Sequence, residues 1–309
     1  MTHKITAADL TLAEKAGLTS GANAWQTKAV ERLGISAVRV ADGPHGLRVE
    51  READGIIDLS NSIPATCFPP AVALGSTWNA ELLDEVGRAL GDESAALGVG
   101  VLLGPGINIK RSPLCGRNFE YFSEDPHLTG TLAASLIRGI QSRGVGAAVK
   151  HFAANNQETD RMRVNVEVDD RTLREIYLRA FETVVREAQP WMLMSSYNFV
   201  NGVAMSDNAA LLTGVLREEW GFDGVVVSDW GAVYDRVDSV AAGLDLEMPT
   251  TNDVRDREVI AAVEAGTLEA SALDLSVERL LLLERRTSGT TPVTVDEDRH
   301  DELAMRAAV

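Results

Sequence analysis

Two cysteines, Cys67 and Cys115, are all that 309 residues contain. That is too few for a disulfide framework and typical of a reducing compartment. Basic residues are also short: 29 Lys and Arg stand against 46 Asp and Glu, a formal charge of −17. Such a chain repels phosphate backbones and anionic lipid, which makes nucleic acid and membrane surfaces poor partners. No apolar run approaches the ~18 residues of a membrane span, and residues 1–20 hold no apolar leader core. The expectation is a cytoplasmic protein, unless a leader has been removed. The five histidines show no H-x-H or H-x-x-x-H spacing, so no metal is expected, and no cofactor is implied. No G-x-S-x-G elbow marks a serine nucleophile, and no G-x-G-x-x-G turn marks a dinucleotide. What is present is ordinary globular composition, 45% hydrophobic and 24% charged, with length enough for one large domain.

Short apolar runs alternate with longer amphipathic segments. The runs lie at 35–42, 71–75, 100–106, 144–152, 164–168, 191–198, 224–230 and, more weakly, 242–249. Several lack polar alternation, as strands buried on both faces of a parallel sheet do. Helices are predicted between them. Asn79 caps AELLDEVGRALGDESAAL, Asp125-Pro126 opens HLTGTLAASLIRGIQSRG, Asp169 or Asp170 caps RTLREIYLRAFETVVREA, and Asn208 caps AALLTGVLREEWG. Two more are expected near 253–265 and 271–285. About eight strands alternating with helices predict a (β/α)8 TIM-type barrel over residues 1–286. The polar, β-branched stretch 287–298 has the composition of a linker.

In such a barrel, functional groups collect at the carboxyl ends of strands. Asp42, Lys150, His151, Tyr197, Asn198 and Asp229 all stand at that end of their runs. Each has a plainer reading. Asp42 before Gly-Pro suits a turn, Lys150 and His151 suit a satisfied pair, and Asp229 suits a helix cap. Their recurrence at one end of several strands favours a site. Cys115 lies in a Pro/Gly loop with no histidine nearby in sequence, which suits a packed thiol; with metal and serine chemistry also set aside, a carboxylate nucleophile remains. Asp229 beside Trp230, with cationic donors nearby, suits an oxocarbenium-like sugar centre.

GPGINIKRSPLCGRNFEYFSEDPHLTG closely resembles the signature of glycoside hydrolase family 3, the β-glucosidase type. So do DGPHGLR, VKHFAANNQETDR, RTLREIYLRAFE, MSSYNFVNG, LREEWGFDGVVVSDWGA and AGLDLEMP, which together span about 38–249 in the family's order. The resemblance implies a retaining mechanism on an N-terminal barrel, with Asp229 as nucleophile and Trp230 as one wall of the sugar site. It implies that Asp42, Arg117, Lys150 and His151 bind the glycone. It places Met194 and Tyr197 near the nucleophile, with core packing the plainer reading for Met194, and Arg161 behind them. Glu120, Glu124 and Asp125 match the motif but read as loop-holding groups. KHFAANNQ differs from the K-H-F-P-G-H-G loop of the hexosaminidase branch. In the β-glucosidase branch the acid/base is a glutamate on a second, α/β sandwich domain. On that basis residues 287–309 are expected to be a linker and the start of that domain, leaving half of an active site. The implied partners are a small β-glucoside or oligosaccharide and that second domain; a xylosidase, or a catalytically silent barrel, is the alternative.

Overall fold

The computed structural model describes residues 4–51, 61–290 and 293–309. Five strands form one parallel sheet in the order β1 (Val40–Ala41), β2 (Val101–Leu102), β3 (Gly146–Phe152), β5 (Met192–Ser195) and β8 (Val225–Ser228). Single bridges carry the sheet round. Val227 pairs in parallel with Leu246, Glu247 with Ser20, Gly21 runs antiparallel to Thr27, and Gln26 antiparallel to Arg39, just before β1. The backbone confirms closure: Gly21 N–H donates to Glu247 O at 3.0 Å and Val40 N–H to Trp25 O at 2.9 Å. The expected barrel is therefore present, but its eight staves are not the eight expected runs.

Two expected strands lie elsewhere, and two staves come from residues 20–27. The run 71–75 is helical, within α2 (Ala71–Ser76). Pro70 precedes it with helix-entry geometry, and alanine favours helix over strand. The run 164–168 contributes β4 (Asn165–Val166) to a small outer sheet with β6 (Phe199–Val200) and β7 (Val203–Ala204). Its V-N-V-E-V alternation belongs to a half-exposed ribbon, and Asn165 is exposed accordingly.

The helices, in order, are α1 (Leu12–Leu18), α2 (Ala71–Ser76), α3 (Ala80–Ala96), α4 (Pro126–Gln141), α5 (Asp170–Thr172) and α6 (Arg179–Ala188), a π turn over Leu173–Tyr177 joining the last two. A π-helix follows at Ala210–Glu219, then α7 (Arg236–Ala242), α8 (Val254–Glu264), α9 (Ala270–Thr287) and α10 (Glu297–Ala307). The predicted caps are in place. Asn79, Asp125, Asp169 and Asn208 accept from the N–H groups of Leu82, His127, Thr172 and Leu211 at 2.9–3.1 Å. Asn79→Ala should cost about 1 kcal/mol, read as a shift in urea midpoint at constant slope; no shift would show that packing of α3 makes the cap redundant.

Strand residues sort by alternation. Val40, Val101, Ala148, Met192, Met194, Val225, Val227 and Leu246 pack together across the ring. Their neighbours Ala41, Leu102, Val149, Leu193 and Val226 face outward, against Leu83, Leu90, Leu136 and Phe181 of the helices. α3 and α4 approach closely because glycines meet: a Cβ on Gly87 would lie 2.3 Å from Leu136 O, and one on Gly139 the same distance from Asp84 O. α10 packs on α3 through the buried His300 ring, whose Nδ1 lies 2.8 Å from Glu93 Oε1.

Candidate active site

The strand ends bring most of the expected residues into one connected cluster. Asp42 leaves β1 into a tight D-G-P-H-G turn, where Gly43 at φ +112° has the Gly46 carbonyl where a Cβ would stand. Asp42 is thus a turn residue by its backbone, while its carboxylate serves the cluster. Oδ1 takes Lys150 Nζ at 3.0 Å and Oδ2 takes Arg48 at 2.6 Å. Lys150 reaches Glu120 at 3.5 Å, and Glu120 takes Arg117 at 2.7 Å. Arg117 then meets His151 Nε2 at 3.0 Å. Lys150 and His151 are almost wholly enclosed, at 4% and 1% exposure, so these ion pairs work in a medium of low polarity.

His151 is held from three sides. Asn108 Oδ1 accepts from its backbone N–H at 2.8 Å and lies 3.2 Å from Nδ1, and the Tyr121 hydroxyl stands at 3.4 Å. A guanidinium can only donate, so Nε2 accepts from Arg117 and the ring proton sits on Nδ1, facing Asn108. Burial, then the charges of Arg117 and Lys150, hold the imidazole well below its ordinary pKa. It is neutral, and its Nε2 stands 3.8 Å from Asp229 Oδ2.

Asp229 follows β8 directly. It does not cap a helix: the next one, α7, is capped by Asp235. Instead its Oδ1 accepts the Trp230 N–H at 2.8 Å. Burial raises its pKa, while the Trp230 amide, Lys150, Arg117 and Tyr197 oppose the rise. Asp42 differs. Burial pushes its pKa up, but Lys150 and Arg48 win and hold it at about 2. Two carboxylates of one cluster are thus set apart, one fully committed to cations and the other poorly solvated and, among the described residues, without a direct counter-ion.

The Trp230 ring leans on Trp25, with centroids 5.7 Å apart, and its Nε1 donates to Ala24 O at 2.9 Å. Tyr197 donates to Trp230 O at 3.0 Å and carries the Arg161 guanidinium 4.8 Å from its ring centroid. Seven expected residues therefore join by direct contact: Asp42, Arg117, Lys150, His151, Tyr197, Asp229 and Trp230. Met194 stands among the inward-facing core residues with Met192 and Val227. Asn198 is buried, with its amide spent on the Ala153 and Phe199 carbonyls. Sequence reasoning left out Arg48, Asn108, Tyr121 and Trp25. Arg48 was the one within reach, since it ends the same DGPHGLR motif that Asp42 begins. Among the described residues no group of three His, Cys, Asp or Glu side chains is arranged for a metal ion, and no helix is long and apolar enough to cross a membrane.

A β/α barrel with ion-paired polar side chains gathered at the carboxyl ends of its strands has the build of an enzyme barrel. The chain belongs to glycosyl hydrolase family 3: the model of that family's N-terminal domain matches residues 6–283. It is 56% identical over 304 residues to thermostable beta-glucosidase B of Acetivibrio thermocellus, covering 97% of this chain and 40% of that protein. An exo-alpha-(1->6)-L-arabinopyranosidase of Bifidobacterium longum is 51% identical over 305 residues, with the same coverage. The structure of beta-glucosidase 3B from Thermotoga neapolitana in complex with alpha-D-glucose superposes with a TM-score of 0.92 at 42% identity, covering 97% of this chain and 45% of that one. The chain thus spans about 40% of the length of the curated relatives it matches.

Proposed function

We propose that this barrel is the nucleophile-bearing, glycone-binding part of a retaining β-glycosidase acting on terminal β-D-glucosyl residues. Asp229 attacks the anomeric carbon, the bond to the aglycone oxygen breaks, and a glycosyl ester forms on the carboxylate. Water then cleaves the ester and restores Asp229. Asp42, Lys150, Arg117 and His151 hold the sugar hydroxyls, and Trp230 packs on the apolar face of the ring. The proton for the leaving group, and its removal from the attacking water, fall to a carboxyl group on a second domain. The observation that carries the proposal is the contrast between the two aspartates. Asp42 is locked to Lys150 and Arg48, whereas the buried Asp229 has, among the described residues, neutral neighbours: the Trp230 amide at 2.8 Å and the His151 ring at 3.8 Å. An anion so placed is weakly solvated and faces the site where positive charge develops.

The arabinopyranosidase relative supports a second reading, a pentopyranose glycone without the hydroxymethyl group. One experiment addresses both. Dinitrophenyl 2-deoxy-2-fluoro-β-glucoside has a leaving group that departs without a proton, and its fluorine slows breakdown of the ester. Intact mass and peptide mapping should find one glycosyl group on Asp229. Labelling by the xyloside or arabinopyranoside analogue alone would favour the pentopyranose, and a label on any other residue would refute the assignment.

A further inference from the structure

Glu158 has no part in the scheme above, yet its position is unusual. It stands in the loop after β3, and its Oε2 accepts from Arg161 at 2.8 Å. Oε1 is enclosed without a hydrogen-bond partner. On one side Glu158 backs the loop that carries Arg117, since a Cβ on Gly116 would stand 3.9 Å from its Cγ. On the other side Arg161 lays its guanidinium 4.8 Å from the Tyr197 ring centroid. Tyr197 in turn donates to Trp230 O, and Trp230 N–H donates to Asp229 Oδ1. Contact therefore runs unbroken from Glu158 to Asp229, through loops at the ends of β3, β5 and β8.

We infer that Glu158 is a positioning residue: it anchors Arg161 against the face of Tyr197 and so fixes the phenol that holds Trp230, whose N–H donates to Asp229. This rests on the reading of Asp229 as the nucleophile. A free arginine samples many rotamers, and a carboxylate on its planar fork removes most of that freedom. A cation over the ring draws on its electron density and strengthens the phenol as a donor. The phenol donates to Trp230 O, and Trp230 so held keeps its N–H on Asp229 Oδ1, which favours the anion, the form that attacks. The charged and titratable groups facing Asp229 are His151, Lys150, Arg117 and Tyr197; Arg161 acts on it through Tyr197.

Two roles for Glu158 predict opposite signs. If it acted only by its charge, Glu158→Gln would remove a nearby anion and lower the Asp229 titration midpoint. If it positions Arg161, the weakened donor raises that midpoint. Carboxyl-carbon NMR of Asp229 against pH reads the sign with no turnover required. We expect Glu158→Gln to raise the midpoint and to slow labelling by the fluoroglucoside about tenfold, with the concentration for half-maximal rate unchanged. Glu158→Asp should restore part of both. Arg161→Gln removes the guanidinium instead of its anchor and serves if Glu158→Gln fails to fold; it should raise the midpoint as well, and the double variant should add little. A midpoint that stays put or falls in the folded variants overturns the inference. Wild-type protein that takes no label on Asp229 from the glucoside, xyloside or arabinopyranoside analogue would sink the nucleophile assignment, while the titration would still decide the role of Glu158.

Discussion

Asp229→Asn is expected to lose covalent labelling by the fluoroglucoside altogether, with any turnover of aryl glucosides falling by at least about 10⁴-fold. Amide and carboxylate are nearly isosteric, so the Trp230 N–H keeps its acceptor at Oδ1. The fold should not suffer. Because burial raises the folded pKa of Asp229, the folded state holds its proton more tightly than the unfolded chain does. Stability contributed by this group therefore falls as pH rises from the unfolded value toward the folded one, and the penalty is complete above both. The asparagine variant escapes that penalty. Its melting temperature at neutral pH should equal or exceed that of the wild type, with the margin shrinking in acid. A variant that melts well below wild type at pH 7 would show that the carboxylate holds the barrel together, and would remove the argument for a residue kept for its chemistry.

Lys150→Met should produce the largest loss of stability. Methionine keeps the apolar stem and deletes the charge, leaving Asp42 Oδ1 and Glu120 Oε1 without the ammonium that lies 3.0 and 3.5 Å away. Removing one partner of a buried ion-paired group costs about 3–5 kcal/mol, and the part exposure of Asp42 argues for the lower end, about 3. The pH dependence follows from Asp42, whose folded pKa is depressed to about 2. A depressed carboxylate contributes stability above its unfolded value near 4, and that contribution is lost as pH falls through the folded value. The gap between wild type and variant should therefore be widest at neutral pH and narrow between about pH 4 and pH 2. Urea unfolding at pH 7 and pH 3 measures it. A difference below about 1 kcal/mol at pH 7 would mean that Arg48 and Arg117 suffice for the two carboxylates.

The parts of the fold legible in the sequence were those whose cause is local. Asn79, Asp125, Asp169 and Asn208 cap helices wherever they occur, because the acceptor lies within three residues of the donor it satisfies. The inner strands were legible from unbroken apolar runs such as GVVVS. The staves at 20–21 and 26–27 were not, since each rests on a bridge to a distant segment rather than on a run of its own. The AVALG run misled in the other direction, because a short apolar stretch fits a buried helix as well as a buried strand. In the site, Asp42, Lys150, His151 and Asp229 were legible as polar groups closing apolar strands. Asn108 and Tyr121 were not, because they act on His151 from a stretch some thirty or forty positions earlier.

Barrel closure also bears on how the chain is made. The stave at Ser20 finds its parallel partner only at Glu247, and β8 finds its outer neighbour only at Leu246. While the ribosome is still short of that point, the growing sheet has two open edges with unpaired N–H and C=O groups, and its apolar inner face is unsealed. A contact so far apart in the chain forms late and slowly. A product broken off before residue 246 lacks the closing stave together with α8, α9 and α10, and should aggregate even though α1 to α7 are complete.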